Sequence, residues 1–417
     1  NPLFKEDGSN KKYSEEEKDY FNKYNRLITE EYRIIKESQS QYLIKNEYER
    51  IKTGKCVKIN SFEEIPNKNE YILYCENESE IRESDNCLLS DLNGPIYGEC
   101  IEVVVNGVNS DSITISSRAK IEFEPAFLDV YSSETIFERN YSALYSIINL
   151  HSLRYLKNIL IGKSVPKPNI QVKTEDLICG QKPGKNQRKC IELALGTQEY
   201  LLIKGPPGTG KTLTIAMIVG ELYKRNQSVI ISCYTNRAVD EVIKKILKYA
   251  PGVSLYRIGN RLSVNEEEGI GIEDVLNNYK KLKEKIDKAK EIISGKPVYI
   301  GTTYSWLSGS YDNLIGNDLY DIAIIDEATQ VLLPNAVGTI RLAKKFILVG
   351  DDNQLSPVIQ SSQAKELSKT LFELLYEKEF ENDSNKIMLD TQHRMAGAIA
   401  KFISNEFYNN KLKTSKE

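Results

Sequence analysis

Histidine is nearly absent from this chain. Only His151 and His393 occur in 417 residues, too few for a histidine-rich metal site. The seven cysteines, Cys56, Cys75, Cys87, Cys100, Cys179, Cys190 and Cys233, are odd in number and scattered. They form no C-x-x-C pair, which excludes zinc and iron–sulfur frameworks and leaves free thiols as the expectation. Any metal is then expected to be Mg²⁺ on oxygen ligands. Long apolar runs are missing as well, and Asn1-Pro2-Leu3-Phe4-Lys5-Glu6 carries no basic segment leading into an apolar stretch. The reading is a soluble, intracellular protein, cytoplasmic or nucleoid-associated, with no membrane partner. Nor is there an excess of positive charge: the net charge is −3 and the pI near 5.9, so composition alone leans against a strongly basic nucleic-acid binder.

What is present is ordinary globular composition, 40% hydrophobic and 28% charged, in a chain long enough for about three domains. From Ser14 to about Ile51 no Pro or Gly interrupts a helical composition, and Ser14 and Glu17 are spaced as a capping box. Phe21, Ile28, Ile35 and Tyr42 recur every seven residues, a narrow apolar stripe suited to packing on a second long helix. Ser133 to about Tyr155 offers that partner, with Phe137, Tyr141, Leu144, Ile148 and Tyr155 on one face, and the pair is expected to form an antiparallel stalk. Between them, short strands at 71–74, 87–90, 100–105 and 112–116 are punctuated by Asn93-Gly94-Pro95 and Asn106-Gly107, a pattern for a small β-barrel. Residues 162–184, with Pro166, Pro168, Gly180 and Pro183, read as a linker. From Lys185 onward apolar strands (200–204, 228–233, 298–301, 321–326, 345–350) alternate with helices, as in a doubly wound α/β sheet. The interruption from Arg261 to Gly295 is rich in lysine around Lys280, Lys281, Lys283, Lys285 and Lys288, and reads best as a solvated helix with pairs such as Glu284 and Lys288.

One loop organises this second half. Gly205-Pro206-Pro207-Gly208-Thr209-Gly210-Lys211-Thr212 fits the phosphate-loop pattern at every fixed position, between an apolar strand and a helix. Its glycines allow successive N–H groups to turn inward on a phosphate, Lys211 is placed to reach the β and γ phosphates, and Thr212 to hold Mg²⁺. A second strand ends in Asp326-Glu327. There Asp326 would hold the metal and Glu327 would orient and deprotonate an attacking water. Adjacent acids are also common at helix starts, but beside a phosphate loop the catalytic reading is preferred.

Together with Asp326-Glu327-Ala328, the segments Gly350-Asp351-Asp352-Asn353-Gln354-Leu355-Ser356-Pro357 and Gln392-His393-Arg394-Met395 resemble the superfamily 1B helicases, in particular their replicative helicase–nuclease and nonsense-mediated-decay branches. The stretch 232–240 looks like their motif Ia and Gly301-Thr302-Thr303 like motif Ic. The resemblance implies a RecA-like P-loop NTPase fold with a helical stalk and a small β-barrel at the N-terminus. It divides the chain into stalk helix 1–55, barrel 56–132, second stalk helix 133–161, linker 162–184, ATP-binding domain 185–385 with its insertion 261–295, and the start of a second RecA-like domain at 386–417. It implies that Gln187 recognises adenine, that Gln354 senses the γ phosphate, that Arg394 lies against it, and that His393, where the family usually has tyrosine, stacks on the base. Thr235, Asn236, Thr302 and Thr303 would meet the backbone of a single strand, DNA or RNA, although turns and caps use the same side chains. ATP and Mg²⁺ are the implied cofactors, movement would run 5′ to 3′, and a monomer is expected. Motifs V and VI do not follow the Gln392–Met395 segment, so weak hydrolysis by this piece is the expectation. The rival reading is a module in which ATP only switches binding to nucleic acid or protein; a metabolic kinase leaves Gly350–Pro357 and Gln392–Met395 unexplained.

Overall fold

The computed structural model describes residues 13–66, 69–82, 85–117, 119–173, 183–259, 282–308, 318–378 and 384–415. The first long helix spans Glu15–Leu43, opened by the capping box of Ser14 and Glu17. A helix to about Ile51 is expected from composition, but the structure breaks it. Asn46 accepts from Glu49 N at 2.9 Å and so starts a separate helix, Glu47–Lys52, because its carboxamide competes with the helical ladder. The partner helix is Glu134–Asn149. Tyr13 OH donates to Asn149 Oδ1 at 2.6 Å, while Tyr32 packs against Phe137 with the ring centroids 4.5 Å apart and the planes tilted, and its hydroxyl donates to Glu134. The start of one helix therefore meets the end of the other, and the pair runs antiparallel.

Between these helices lie seven antiparallel strands: β1 (Cys56–Lys58), β2 (Ser61–Ile65), β3 (Glu70–Tyr74), β4 (Asn86–Ser90), β5 (Cys100–Val108), β6 (Ser112–Ser117) and β7 (Phe127–Val130), in the order β1-β7-β4-β5-β6-β3-β2. The two end strands are consecutive in sequence. Ile59 N between them donates to Ala126 O and Asn60 N to Tyr74 O, so both ends of the sheet meet on one stretch of chain. Period-two burial is clear in β6, where Ile113 and Ile115 are buried with Leu73, Leu89 and Leu128. Strand β2 has no such signal, its Ser-Phe-Glu-Glu stretch being exposed. At the junction with the long helix, Asp129 of β7 is fully buried between the Arg50 guanidinium and Tyr42 OH, the latter donating at 2.8 Å.

The second seven-stranded sheet is wholly parallel: β8 (Tyr200–Lys204), β9 (Val229–Cys233), β10 (Leu255–Arg257), β11 (Val298–Thr302), β12 (Ile322–Ile325), β13 (Phe346–Gly350) and β14 (Lys386–Met388), in the order β10-β11-β9-β12-β13-β8-β14. Its strands are apolar on both faces, as a sheet covered on two sides requires. Leu201, Ile203, Ile231 and Ile347 pack under the helices Lys185–Leu195, Lys211–Lys224 and Asn236–Tyr249. Tyr200, Leu202, Ile230 and Phe346 share a core with Leu333, Phe372 and residues of the two stalk helices, including Phe21, Ile28 and Leu144. The stalk is thus part of the sheet's own cover. Strand β14 pairs with β8, so 386–388, expected to open a second RecA-like domain, belong to this sheet. A last ladder joins β15 (Thr391–Gln392) to β16 (Lys413–Thr414). In the insertion, Leu282–Ser294 is helical and Lys288 pairs with Glu291 at 2.9 Å; Lys280 and Lys281 lie outside the described residues. No helix among the described residues is long and apolar enough to cross a membrane.

A buried carboxylate adds a polar contact between the first long helix and the chain that follows β13. Glu31, buried in the first helix, accepts from Gln360 N and Ser361 N, each at 2.8 Å. Removing it orphans two inward-facing donors, so Glu31→Ala should lower unfolding stability by about 1–3 kcal/mol in a denaturant titration. Glu31→Gln, which keeps an acceptor, should lose less.

Candidate nucleotide-binding site

The loop 205–212 leaves β8 at the carboxyl edge of the sheet and runs directly into the helix Lys211–Lys224. Gly208 and Gly210 take φ of +77° and +80°, a region that residues with a side chain reach only at a cost. At Gly208 space matters equally: a Cβ there would lie 2.6 Å from Arg394 Cβ. Its carbonyl accepts from His393 N at 2.9 Å, which seats the Gln392–Met395 segment on the phosphate loop. Lys211 Nζ donates to Gly205 O at 3.0 Å and lies 3.5 Å from Glu327 Oε1.

Strand β12 delivers the two acids to the same edge. Asp326 is buried, its N–H on Ser232 O and its Oδ1 accepting from Glu327 N at 2.9 Å. Burial, reinforced by the Glu327 charge, pushes its carboxyl up from 3.8 to about 7. Glu327 sits in the left-handed region at φ +51°, unusual for a residue with a long side chain, and its Oε2 is buried with no hydrogen-bond partner among the described residues. A hard cation fits this donor set: the Asp326 carboxyl, the Thr212 hydroxyl at the helix start and an orphaned carboxylate oxygen close by.

The cleft of about 940 Å³ over this loop is lined by Gln187, Pro206–Thr212, Glu327, Gln354, His393 and Arg394, so these candidates are brought together on one surface. Gly205 and Asp326 lie beneath its floor. Gln187 Oε1 accepts from Gly184 N at 3.0 Å, and Nε2 would stand 3.0 Å from a Cβ at Gly210, which puts the amide beside the loop. Gln354 Nε2 donates to Asp351 Oδ2 at 2.9 Å, and the same oxygen accepts from Tyr408 OH at 2.6 Å. The motif after β13 is thereby bonded to the segment that follows Arg394. Glu241, Lys245 and Tyr249, at i, i+4 and i+8 on the helix Asn236–Tyr249, extend the cleft and were not anticipated. The four-residue spacing was visible, but nothing marked which face met the loop.

A family profile described as an AAA domain matches residues 183–294 and 263–362, and a second of the same description matches 367–417. The DNA replication ATP-dependent helicase/nuclease of Gallus gallus is 29% identical over 65% of this chain and 26% of its own length. That of Arabidopsis thaliana is 28% identical over 74% of this chain and 24% of its own. The DNA polymerase alpha-associated DNA helicase A of Schizosaccharomyces pombe is 28% identical over 56% of this chain and 40% of its own. The chain belongs to the superfamily 1B helicases. It spans about a quarter of the length of the two helicase/nucleases. Among solved structures, the arterivirus nonstructural protein 10 helicase in complex with DNA aligns over 85% of this chain and 59% of its own at 12% identity, with a TM-score of 0.41.

In this superfamily 1B chain the four residues expected on a nucleic-acid backbone divide. Thr235 is exposed and caps its helix, accepting from Ala238 N at 3.1 Å; Asn236 Oδ1 accepts from Arg257 at 3.2 Å. Thr302 is half-buried and caps the helical turn Thr303–Leu307. Thr303, by contrast, is fully buried with its hydroxyl donating to Cys233 O at 3.1 Å.

The raised Asp326 carboxyl sets a pH dependence for the metal-free protein. Its penalty is absent below about pH 4, where folded and unfolded chains are both protonated, and grows to completion as pH rises through about 7. Ionising it in the fold costs on the order of 4 kcal/mol. In EDTA, Asp326→Asn should therefore raise the melting temperature more at pH 8 than at pH 5; an equal gain at both would contradict the assignment.

Proposed function

We propose that this chain binds ATP·Mg²⁺ and couples its hydrolysis to 5′-to-3′ movement along single-stranded nucleic acid, as an ATP-dependent helicase or translocase. The observation that carries this reading is the meeting of Lys211, Glu327, Gln354 and Arg394 on one cleft above the phosphate loop. Thr212 and Asp326 would hold the Mg²⁺, which when bound supplies positive charge against the phosphate oxygens. Lys211 neutralises the β and γ phosphates from the side of Gly205. Glu327 orients a water for attack on the γ phosphorus and takes its proton, while Gln354 reports the presence of that phosphate to Asp351 and Tyr408. Gln187 reads adenine from the loop's edge, and His393 offers a flat ring to the base.

Arg394 is the one arginine on the cleft among the described residues, and arginines at a γ phosphate contribute about 10³- to 10⁵-fold in rate. Hydrolysis by this chain alone is accordingly slow. Thr235, Asn236 and Thr302 bind the strand through its backbone and carry no sequence preference. The N-terminal sheet is the family's small barrel, a reading supported by its two end strands being consecutive and meeting at Ile59 and Asn60, and the helices beneath it are the stalk. The proposed form of the chain is a monomer acting inside the cell. A second reading, an ATP-switched binding module without strand separation, is favoured by the Glu31 contact, which ties the stalk to the backbone just after the Gln354 motif.

ATP turnover with and without single-stranded DNA or RNA, at several salt concentrations, tests the proposal. Stimulation should fall steeply with salt, since phosphate contacts release counterions. Lys211→Ala should weaken nucleotide binding at least about tenfold, and Glu327→Gln should keep binding while losing about 10²- to 10⁴-fold in turnover. Absence of stimulation, with both variants behaving as wild type, overturns it; stimulation without duplex separation selects the switch.

A further inference from the structure

We propose that Tyr234 and Tyr304 form a two-ring platform on which unpaired bases of a single-stranded nucleic acid stack. The inference rests on the single-strand reading above and adds base contacts to a surface so far credited only with backbone contacts.

Strands β9 and β11 are parallel neighbours, with Cys233 opposite Thr302. Both leave the sheet at the edge that carries the phosphate loop, about 4.8 Å apart. Tyr234 is the first residue after β9, and Tyr304 the second after Thr302. The turn carrying Tyr304 is bolted to the strand carrying Tyr234 at two points: Thr303 Oγ1 donates to Cys233 O at 3.1 Å, and Trp306 Nε1 to Ile231 O at 2.9 Å. The two tyrosines therefore keep a fixed spacing.

Close by in sequence, Cys233, Thr303 and Trp306 are buried to 1% or less, whereas Tyr234 and Tyr304 remain 37% and 41% exposed. One such ring on a surface needs no ligand. Two on a rigid mount are another matter, because each lies close to a residue proposed to hold the strand's backbone: Tyr234 adjoins Thr235, and Tyr304 is two residues beyond Thr302. An aromatic face beside a sugar–phosphate contact is the arrangement that binds single strands without reading their sequence, since every base has a face to stack. Tyrosine loses little side-chain freedom on doing so, having only two torsions to fix.

The test compares fluorescence anisotropy titrations with a labelled oligothymidylate and with an abasic strand of equal length and charge. Wild type should bind the strand with bases about 10- to 100-fold more tightly. Tyr234→Ala and Tyr304→Ala should each erode that preference, and the double variant should bind both strands alike, at the affinity wild type shows for the abasic one. Tyr→Phe at both positions should restore the preference, because the ring and not the hydroxyl carries it, and melting curves check that each variant is folded. If wild type binds the two strands equally, or the double variant keeps the preference, the platform is refuted while the single-strand reading stands. If wild type binds neither strand, both fail.

Discussion

The backbone hydrogen bond from His393 N to Gly208 O, at 2.9 Å, joins two walls of the nucleotide cleft. It forms only because Gly208 has no Cβ to collide with Arg394, and because the loop can turn through φ +77° at that point. The segment it holds is itself braced from below. Gln392 is fully buried, its Oε1 accepting from Arg394 N and Met395 N and its Nε2 donating to Met395 O and Thr414 Oγ1. Satisfied on every side, that amide makes the segment a rigid part of the cleft rather than a mobile tail.

The floor of the cleft works by the opposite principle. Asp326 and Glu327 are adjacent acids in poorly solvated positions, one with its carboxyl raised by burial, the other with a strained backbone and an unpaired oxygen. Such an arrangement costs stability, and the buried parallel strands around it supply the rigidity that keeps it in place. Lys211 offsets part of the charge, standing between the loop carbonyl and Glu327. Nearby, Lys204 is held by Asp352 at 2.6 Å beneath the rings of Tyr376 and Tyr408, so the strand that feeds the loop is also tied to the motif that follows β13.

Much of this was legible because the responsible residues are local in sequence. The phosphate loop, the acids after β12 and the five central strands announce themselves through glycines at fixed offsets and unbroken apolar runs. Strands β10 and β14 did not. They are three residues each, and Arg257 of β10 is a buried arginine engaged by Asp240, which interrupts the apolar pattern. The strand β2 hides for another reason, its exposed Glu63 and Glu64 reading as a loop until pairing with β3 is seen. The threonines of the two strand exits show the limit of residue type as a guide. Thr302 and Thr303 are identical neighbours, and only the fold tells the cap from the buried hydroxyl.

The grip of Glu31 on Gln360 and Ser361 has a mechanical side. From Glu31 the helix continues to Leu43, a rigid arm of roughly 18 Å at the usual rise per residue. Its far end reaches the small sheet through Tyr42 and the buried Asp129. A tilt of a few degrees at the Glu31 fulcrum displaces that end by about 1–2 Å, comparable with the helix shifts that carry allosteric signals between domains. Leverage works in both directions: a load on the small sheet is delivered, in part through this carboxylate, to the backbone six residues beyond Gln354.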